Sequence, residues 1–303
     1  MIQYLYLGRV SYEGGLRLQA ELVDLRLQGR VDNVLALLEH PPVLTLGRNA
    51  NRSNILASDE LLANRGINLH EINRGGDITY HGPGQLVGYP IFDLRSLRNP
   101  SSASRLGAVD FVRLMEEALI RLCAVHGILA GRICGLTGVW CPPIGTSSME
   151  NCASMDKDHP HGERKIGAIG IHVSRGITSH GFAFNVTTDL RDFALINPCG
   201  ITNRPITSLK NEIEARQGSL SSTSAIEALP GLEDIAHQAA RQFGIVFNQQ
   251  ILAVESLAAL RVQAAAATPP ASSTPDFPAN DTPLRVPAEV ERLAHVKDRS
   301  IRT

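Results

Sequence analysis

A lysine and a cysteine in two separate contexts are the residues of this chain best suited to chemistry. Lys165 opens a glycine-interrupted apolar run, K-I-G-A-I-G-I, and Cys199 lies in a Pro-Cys-Gly turn rather than on an apolar face. A turn offers a cysteine exposure and nearby backbone N–H groups, and a neighbouring ammonium lowers the pKa of a thiol. Taken singly, a lysine that solvates a strand end and a cysteine buried as a small hydrophobe are the commoner situations.

A third candidate is the loop R-G-G-D-I-T-Y-H-G-P-G-Q over residues 74–85, which holds four glycines and a proline. Glycine lets a ligand or another backbone approach closely, so the loop predicts a binding surface; the alternative is a hairpin whose glycines serve only the turn. Arg74 is suited to a carbonyl, carboxylate or phosphate. The apolar run at 86–94 predicts a buried strand that would anchor this loop on a sheet.

The elements that must position these residues form a mixed pattern of helices and strands. Helical periodicity predicts helices at 12–28, 105–126, 208–217 and 223–243, the last ending at Gly244. Short apolar runs predict strands at 1–9, 34–38, 43–46, 69–72, 86–94, 136–140, 165–173 and 181–186. The pattern predicts a single α/β (α+β) domain over residues 1–250, with a surface insertion at 142–164. The Ala/Pro/Ser-rich tail at 263–303 is predicted to be disordered.

Composition limits the possible partners and compartments. The chain has 303 residues, 43% of them hydrophobic, and a formal net charge of -1, which gives no indication of nucleic-acid or membrane binding. The N-terminus lacks the pattern of a signal peptide, and five unevenly spaced cysteines do not suggest a disulfide framework, so a reduced, cytoplasmic location is expected. Cys141, Cys152, His159 and His161 match no known zinc pattern, and we predict no metal and no cofactor.

The glycine loop, the strand from Lys165, the segment 180–185 and the cysteine turn occur in the same order as in the lipoyl(octanoyl) transferases. The chain resembles that family over roughly residues 1–245, including its K-[IL]-[GA]-[AS]-[ILV]-G strand and [CS]-G-[ILM] turn, and departs from it in the insertion and the tail. The resemblance implies the catalytic domain of biotin and lipoate protein ligases, with mixed sheets flanked by helices.

The same resemblance implies an activity and its partners. An octanoyl group would pass from octanoyl-acyl carrier protein to Cys199 and then, with Lys165 as acid and base, to a specific lysine of a lipoyl domain, the first step of endogenous lipoate biosynthesis. Acceptors would be the acyltransferase subunits of 2-oxo acid dehydrogenases and the glycine cleavage H protein. The implied substrate-binding residues are Arg74, Gly75, Gly76, Asp77, Ile78, Thr79, Tyr80, His81, Ala168, Ile169, Gly170, Gly181, Phe182 and Ala183.

Three other functions remain open at this point. An ATP-dependent lipoate or biotin protein ligase would use Arg74, Gly75, Gly76 and Lys165 to hold an acyl-adenylate, but it needs no nucleophilic thiol such as Cys199. A non-catalytic binding module would be expected to have lost the lysine or the cysteine. A cysteine hydrolase would need a histidine and an Asn or Asp arranged to activate the thiol, and no such arrangement is visible.

Overall fold

The computed structural model describes residues 1–145, 162–197, 204–217 and 229–267. Cys199 lies outside the described residues, as do Cys152, His159 and His161. Most of the 142–164 insertion and the tail after residue 267 are also outside them.

An eight-stranded mixed sheet forms the centre of the fold. Its strands follow the order β11-β1-β2-β6-β10-β9-β8-β7; β1 pairs in parallel with β11 and β2, and the other pairs are antiparallel. The strands are β1 (Ile2–Arg9), β2 (Asn33–Glu39), β6 (Gln85–Ile91), β7 (Gly131–Ile133), β8 (Leu136–Cys141), β9 (Arg164–Ser174), β10 (Ile177–Asn185) and β11 (Ile251–Ala253).

A second, three-stranded sheet has the order β4-β3-β5. It comprises β3 (Val43–Leu46), β4 (Asn68–Glu71) and β5 (Ile78–His81). β3 pairs in parallel with β4 and antiparallel with β5. Residues Ile78–His81 of the predicted glycine loop therefore form a strand, because they pair with β3 from a distant part of the sequence.

Helices cover both faces of the large sheet. Alpha helices in the described ranges are α1 (Tyr12–Leu27), α2 (Asp59–Asn64), α3 (Ala108–Val125), α4 (Leu209–Gln217), α5 (Leu232–Phe247) and α6 (Leu257–Ala266). The apolar stripes of α3 and α5 pack on one face, where Met115 and Phe243 meet Phe184 of β10 in the main core. Leu22 of α1 and Leu260 of α6 pack on the opposite face. These layers confirm the predicted α/β (α+β) class, with mixed sheets flanked by helices.

Two predicted boundaries differ from the structure. Helix α5 continues through Gly244 to Phe247 and ends at Asn248, which adopts a left-handed φ of 50°. Gly244 does not end the helix; it lets Ile251 pack closely against it, because a Cβ there would lie 2.4 Å from Ile251 Cγ1. Residues 263–266, assigned from sequence to the tail, complete α6. No helix in the described part of the chain is long and apolar enough to cross a membrane.

Candidate active site

A cavity of about 420 Å³ lies between the two sheets. Thr79 and His81 of β5 and the glycine loop contribute one wall. Val87 of β6, Ala168 of β9 and Ala183 of β10 contribute the other wall. Because side chains alternate along a strand, neighbours of these wall residues such as Tyr80 and Phe184 belong to the hydrophobic cores instead.

Alternation along β5 directs Tyr80 away from the cavity, although the sequence had placed it in the site together with Thr79 and His81. Ile78 and Tyr80 belong to the core of the small sheet. The Tyr80 ring packs edge-on against Phe193, with centroids 5.3 Å apart, and its hydroxyl donates to Asp192 Oδ2 at 3.0 Å. Tyr80 therefore does not line the cavity, whereas Thr79 and His81 on either side of it do.

The two glycines at the start of the loop allow close approach of the protein's own backbone. Gly75 N donates to the carbonyl oxygen of Ile171 in β9 at 2.9 Å, and a Cβ at Gly170 would lie 2.7 Å from Gly75 O. A Cβ at Gly47 would lie 2.3 Å from Gly76 O. These contacts clamp the loop between β9 and the segment after β3, and of the two loop glycines only Gly76 lines the cavity.

The two charged residues of the loop also hold it in place. Arg74 Nη2 donates to Thr45 O and Thr45 Oγ1, both at 2.9 Å, and Nη1 donates to Gly75 O at 3.0 Å. Asp77 Oδ1 accepts from the backbone N–H of Asn51 at 3.1 Å. The guanidinium thus binds carbonyl and hydroxyl oxygens of the protein itself while it lines the cavity.

A β-bulge aims Lys165 into the cavity. Val139 of β8 is opposite Gly167 of β9, but the next residue, Trp140, is opposite Lys165, so Ile166 is an extra residue in β9. Ile166 packs into the core beneath α3 and α5. If side chains alternated strictly along β9 from Ala168, which lines the cavity, Lys165 would point into that same core. The bulge reverses the alternation, and Lys165 lines the cavity instead.

The surroundings of Lys165 hold its side chain and its backbone. Its Nζ lies 5.1 Å from the centroid of the buried Trp140 ring, a cation–π geometry. Gly138 leaves room for the side chain, since a Cβ there would lie 2.8 Å from Lys165 Cε. Lys165 N donates to Pro205 O and Thr207 N donates to Lys165 O, both at 2.9 Å. The lysine is 7% exposed, so it is a buried cation at the edge of the cavity.

A chain of amides fixes the tautomer of His81. Asn185 Nδ2 donates to Thr207 O at 2.9 Å, so Asn185 Oδ1 accepts from Gln85 Nε2 at 2.9 Å. The same Gln85 Nε2 donates to Tyr80 O at 3.2 Å, and Gln85 Oε1 accepts from His81 Nδ1 at 2.8 Å. Because backbone carbonyls can only accept, each amide orientation follows and His81 carries its proton on Nδ1. Burial lowers the pKa of His81 to about 3.

His180 is a second neutral histidine on the cavity wall. It has a left-handed φ of 56°, and its backbone N–H is directed to Gln19 Oε1 at 2.6 Å. Its Nε2 lies 2.7 Å from Asn73 Oδ1 and donates to it, which links β10 to the residue before the glycine loop. Burial, with a smaller contribution from Arg74, lowers the pKa of His180 to about 4.

These two histidines predict that acid destabilises the fold. Their pKa values are depressed from an ordinary 6.5 in the folded state, so below that pH the unfolded chain binds more protons. At about 1.4 kcal/mol per pH unit, each histidine should lower the free energy of unfolding by about 2 kcal/mol between pH 7 and pH 5. Urea unfolding at the two pH values measures this. In a His81→Gln variant the difference should shrink by that amount; an unchanged difference would contradict the assignment.

The cysteines in the described ranges are structural. Cys123 and Cys141 are free and buried, and burial raises the pKa of both thiols. Cys134 is disulfide-bonded, which the uneven cysteine spacing did not predict. Among the residues that the structure describes, no group of three or more His, Cys, Asp or Glu side chains is arranged to hold a metal ion.

The structure brings together most of the residues implied by the family resemblance. Those lining the cavity are Arg74, Gly76, Asp77, Ile78, Thr79, His81, Lys165, Ala168, Ile169, Gly170, Gly181, Phe182 and Ala183; Gly75 and Tyr80 are not among them. Sequence reasoning missed further lining residues, which lie at a helix start, in separate loops and in strand interiors, where the sequence gives only a weak signal of a site. They are Tyr12, Asn49, Val87, Tyr89, Gly135, Leu136, Thr137 and, as a lining residue, His180.

Comparison with known proteins defines the family. Residues 11–229 match the family described as Lipoyl protein ligase A/B catalytic domain. An octanoyltransferase of Acidobacterium capsulatum is 56% identical over 256 residues, 84% of this chain and 94% of that protein. An octanoyltransferase of Koribacter versatilis is 46% identical over 97% of each chain.

Solved structures share the fold. Lipoate-protein ligase A bound with ATP superposes with a TM-score of 0.55 at 14% identity, over 88% of this chain and 93% of that one. The bipartite lipoate protein ligase of Thermoplasma acidophilum gives a TM-score of 0.54 at 16% identity, over 88% and 91%. The chain therefore belongs to the Lipoyl protein ligase A/B catalytic domain family and, within it, to the octanoyltransferases.

Proposed function

We propose that this octanoyltransferase works through a thioester on Cys199, with Lys165 as the group that gives and takes the proton. The donor is octanoyl-acyl carrier protein. The acceptors are lysines of lipoyl domains in 2-oxo acid dehydrogenases and the glycine cleavage H protein, and the protein acts in the cytoplasm. The observation that carries the proposal is the bulge at Ile166, which turns a buried lysine towards a cavity between two sheets.

The chain is anchored on both sides of Cys199, and on the C-terminal side the anchor is the backbone of Lys165 itself. Asn197 N donates to Asn54 O at 2.7 Å, and Pro205 O accepts from Lys165 N at 2.9 Å. Five residues separate Cys199 from Pro205, and one residue separates it from Asn197. The two anchors support a thiol within reach of the Lys165 side chain.

The charges around Lys165 favour an anion. Glu163 and Arg204 form a fully buried ion pair of 3.1 Å, and the Arg204 guanidinium carbon lies 5.9 Å from the centroid of the Trp140 ring that also contacts Lys165. Among these three described side chains, two are cationic, Lys165 and Arg204, and one is a carboxylate, Glu163. A positive group next to a thiol lowers its pKa and favours the thiolate.

One cysteine and one lysine carry the acyl group and the transferred proton in both half-reactions. The Cys199 thiolate attacks the thioester carbonyl, and the departing carrier thiol takes the proton from Lys165. Thioester exchange between two thiols is nearly thermoneutral, and the later formation of an amide is downhill without ATP. The neutral lysine then accepts a proton from the attacking amine as the amide forms and the Cys199 thiolate leaves.

The cavity wall supports an acyl substrate more than an adenylate. Val87, Leu136, Ile169 and Ala183 supply apolar surface for a hydrocarbon chain. Arg74, which an adenylate-forming ligase would direct to phosphate, makes three hydrogen bonds to oxygens of Thr45 and Gly75.

The test is acylation in the absence of ATP. The purified protein is incubated with octanoyl-carrier thioester, and its intact mass is recorded before and after addition of a lipoyl domain. We expect one octanoyl group on the protein, removable by neutral hydroxylamine, which then appears on the lipoyl domain. Transfer that required ATP, or that occurred without any acyl-protein in single-turnover experiments, would contradict the proposal.

A further inference from the structure

A second, much smaller cavity lies behind Lys165. Its volume of about 20 Å³ exceeds what one water molecule needs, and its wall carries four polar side chains, Thr79, Gln85, Lys165 and Asn185, among apolar residues. Thr79 and Lys165 also line the large cavity, so these two side chains connect the two spaces.

The hydrogen-bonded chain of His81, Gln85 and Asn185 determines what this small space can bind. Gln85 Nε2 donates to Asn185 Oδ1 and to Tyr80 O, and Asn185 Nδ2 donates to Thr207 O. Both amide oxygens are acceptors in this chain: Asn185 Oδ1 accepts from Gln85 Nε2, and Gln85 Oε1 accepts from His81 Nδ1. A lysine ammonium can only donate, whereas a hydroxyl both donates and accepts. A water molecule, with two donors and two acceptors, satisfies this set, and an apolar group does not.

The chemistry of the second half-reaction leaves one proton without a route. An acceptor lysine is an ammonium at neutral pH, so forming an amide from it releases two protons. Neutral Lys165 takes only one of them. If Lys165 takes both in turn, it passes the first one on before the amide forms.

We propose that the small cavity binds one water and that Thr79 links this water to the large cavity as a proton relay for Lys165. The Lys165 ammonium gives a proton to the water, the water gives one of its own to Thr79 Oγ1, and the hydroxyl releases its proton to solvent in the large cavity. Water and hydroxyl are regenerated, and Lys165 is neutral when the acceptor amine attacks. Thr79 is then a positioning residue that acts through Lys165, and this role rests on the proposed function.

The relay is tested by Thr79→Val, which keeps the side-chain shape and removes the hydroxyl, with Thr79→Ser as the matched variant that keeps it. Acylation of the protein needs no relay, because its proton passes directly from Lys165 to the carrier thiol. We expect the acylation rates of Thr79→Val and Thr79→Ser to lie within about twofold of each other, because any effect on substrate binding is shared by the two variants. In Thr79→Val, transfer of the octanoyl group from isolated acyl-protein to a lipoyl domain should be slower by on the order of 10²-fold. The rising part of its pH–rate profile should also move to higher pH. Thr79→Ser should restore most of the transfer rate and the pH profile.

The outcomes separate the relay from the overall function. If no acyl-protein forms even in wild type, the covalent mechanism itself is wrong. If acyl-protein forms but Thr79→Val slows both steps equally, slows neither, or is not rescued by serine, the relay is wrong and the covalent mechanism stands. A high-resolution crystal structure of the wild-type protein gives an independent result: a water within hydrogen-bond distance of Lys165 Nζ and Thr79 Oγ1 supports the relay, and a dry cavity overturns it.

Discussion

Replacing Cys199 with alanine is expected to lower octanoyl transfer by on the order of 10³-fold or more and to eliminate the acyl-protein, because the change removes the thiol that forms the proposed thioester. The thermal midpoint should stay close to that of wild type, since the cysteine belongs to a turn rather than to an apolar run. Single-turnover transfer and intact mass measure the first effect, and a thermal melt measures the second.

A matched cysteine change distinguishes chemistry from folding. Cys123 is fully buried in α3, so Cys123→Ala should cost about 1 kcal/mol of stability while acylation continues at a temperature where the variant is folded. Substantial octanoyl transfer by the Cys199→Ala protein would rule out the thioester on this residue. The remaining cysteines would then have to be tested in turn.

Two substitutions of Lys165 are expected to affect the two half-reactions differently. Lys165→Ala removes both the positive charge and the base, so it should raise the pKa of the Cys199 thiol and slow acylation and transfer alike, each by about 10²-fold or more. Lys165→Arg keeps the charge, but a guanidinium does not lose its proton. Acylation should therefore survive better than transfer, and acyl-protein should accumulate in the arginine variant.

Single-turnover rates of the two steps decide the outcome for Lys165. Equal losses in both steps for the arginine variant would mean that Lys165 only positions the substrate. His81 would be a poor replacement as the base, because burial lowers its pKa to about 3 and Gln85 Oε1 already accepts its Nδ1 proton. A water in the cavity would then be the next candidate.

Local patterns were sufficient for the main elements and for most of the cavity. Helical spacing of apolar residues located α1 and α3, and short apolar runs located β2, β3 and β9, because burying one face of an element imposes a period on its own sequence. The ends of elements were less predictable. Gly244 lies inside α5 because a strand after the helix packs against it, and no local pattern contains that contact.

The assignment of faces within the site required the pairing of strands. Thr79 and Tyr80 are adjacent in a loop-like sequence, yet β5 directs the first into the cavity and the second against Phe193. Tyr12 and Thr137 come from distant parts of the chain and meet at the cavity only because α1 and the β7–β8 hairpin are brought to it. Such contacts depend on connections that a single sequence does not display.

The sequence by itself determined which chemical groups the protein has, in which order, and the helices and strands that carry most of them. Lys165 and the glycine loop were identified in this way, and the turn with Cys199 stays a prediction. Only the tertiary structure decided where Lys165 points. Alternation along a strand is a property of the backbone, and it would have placed Lys165 in the core and Ile166 on the side of the cavity, the reverse of what the structure shows. The extra residue in β9 arises from its register with β8, and a register exists only between two strands that have already come together.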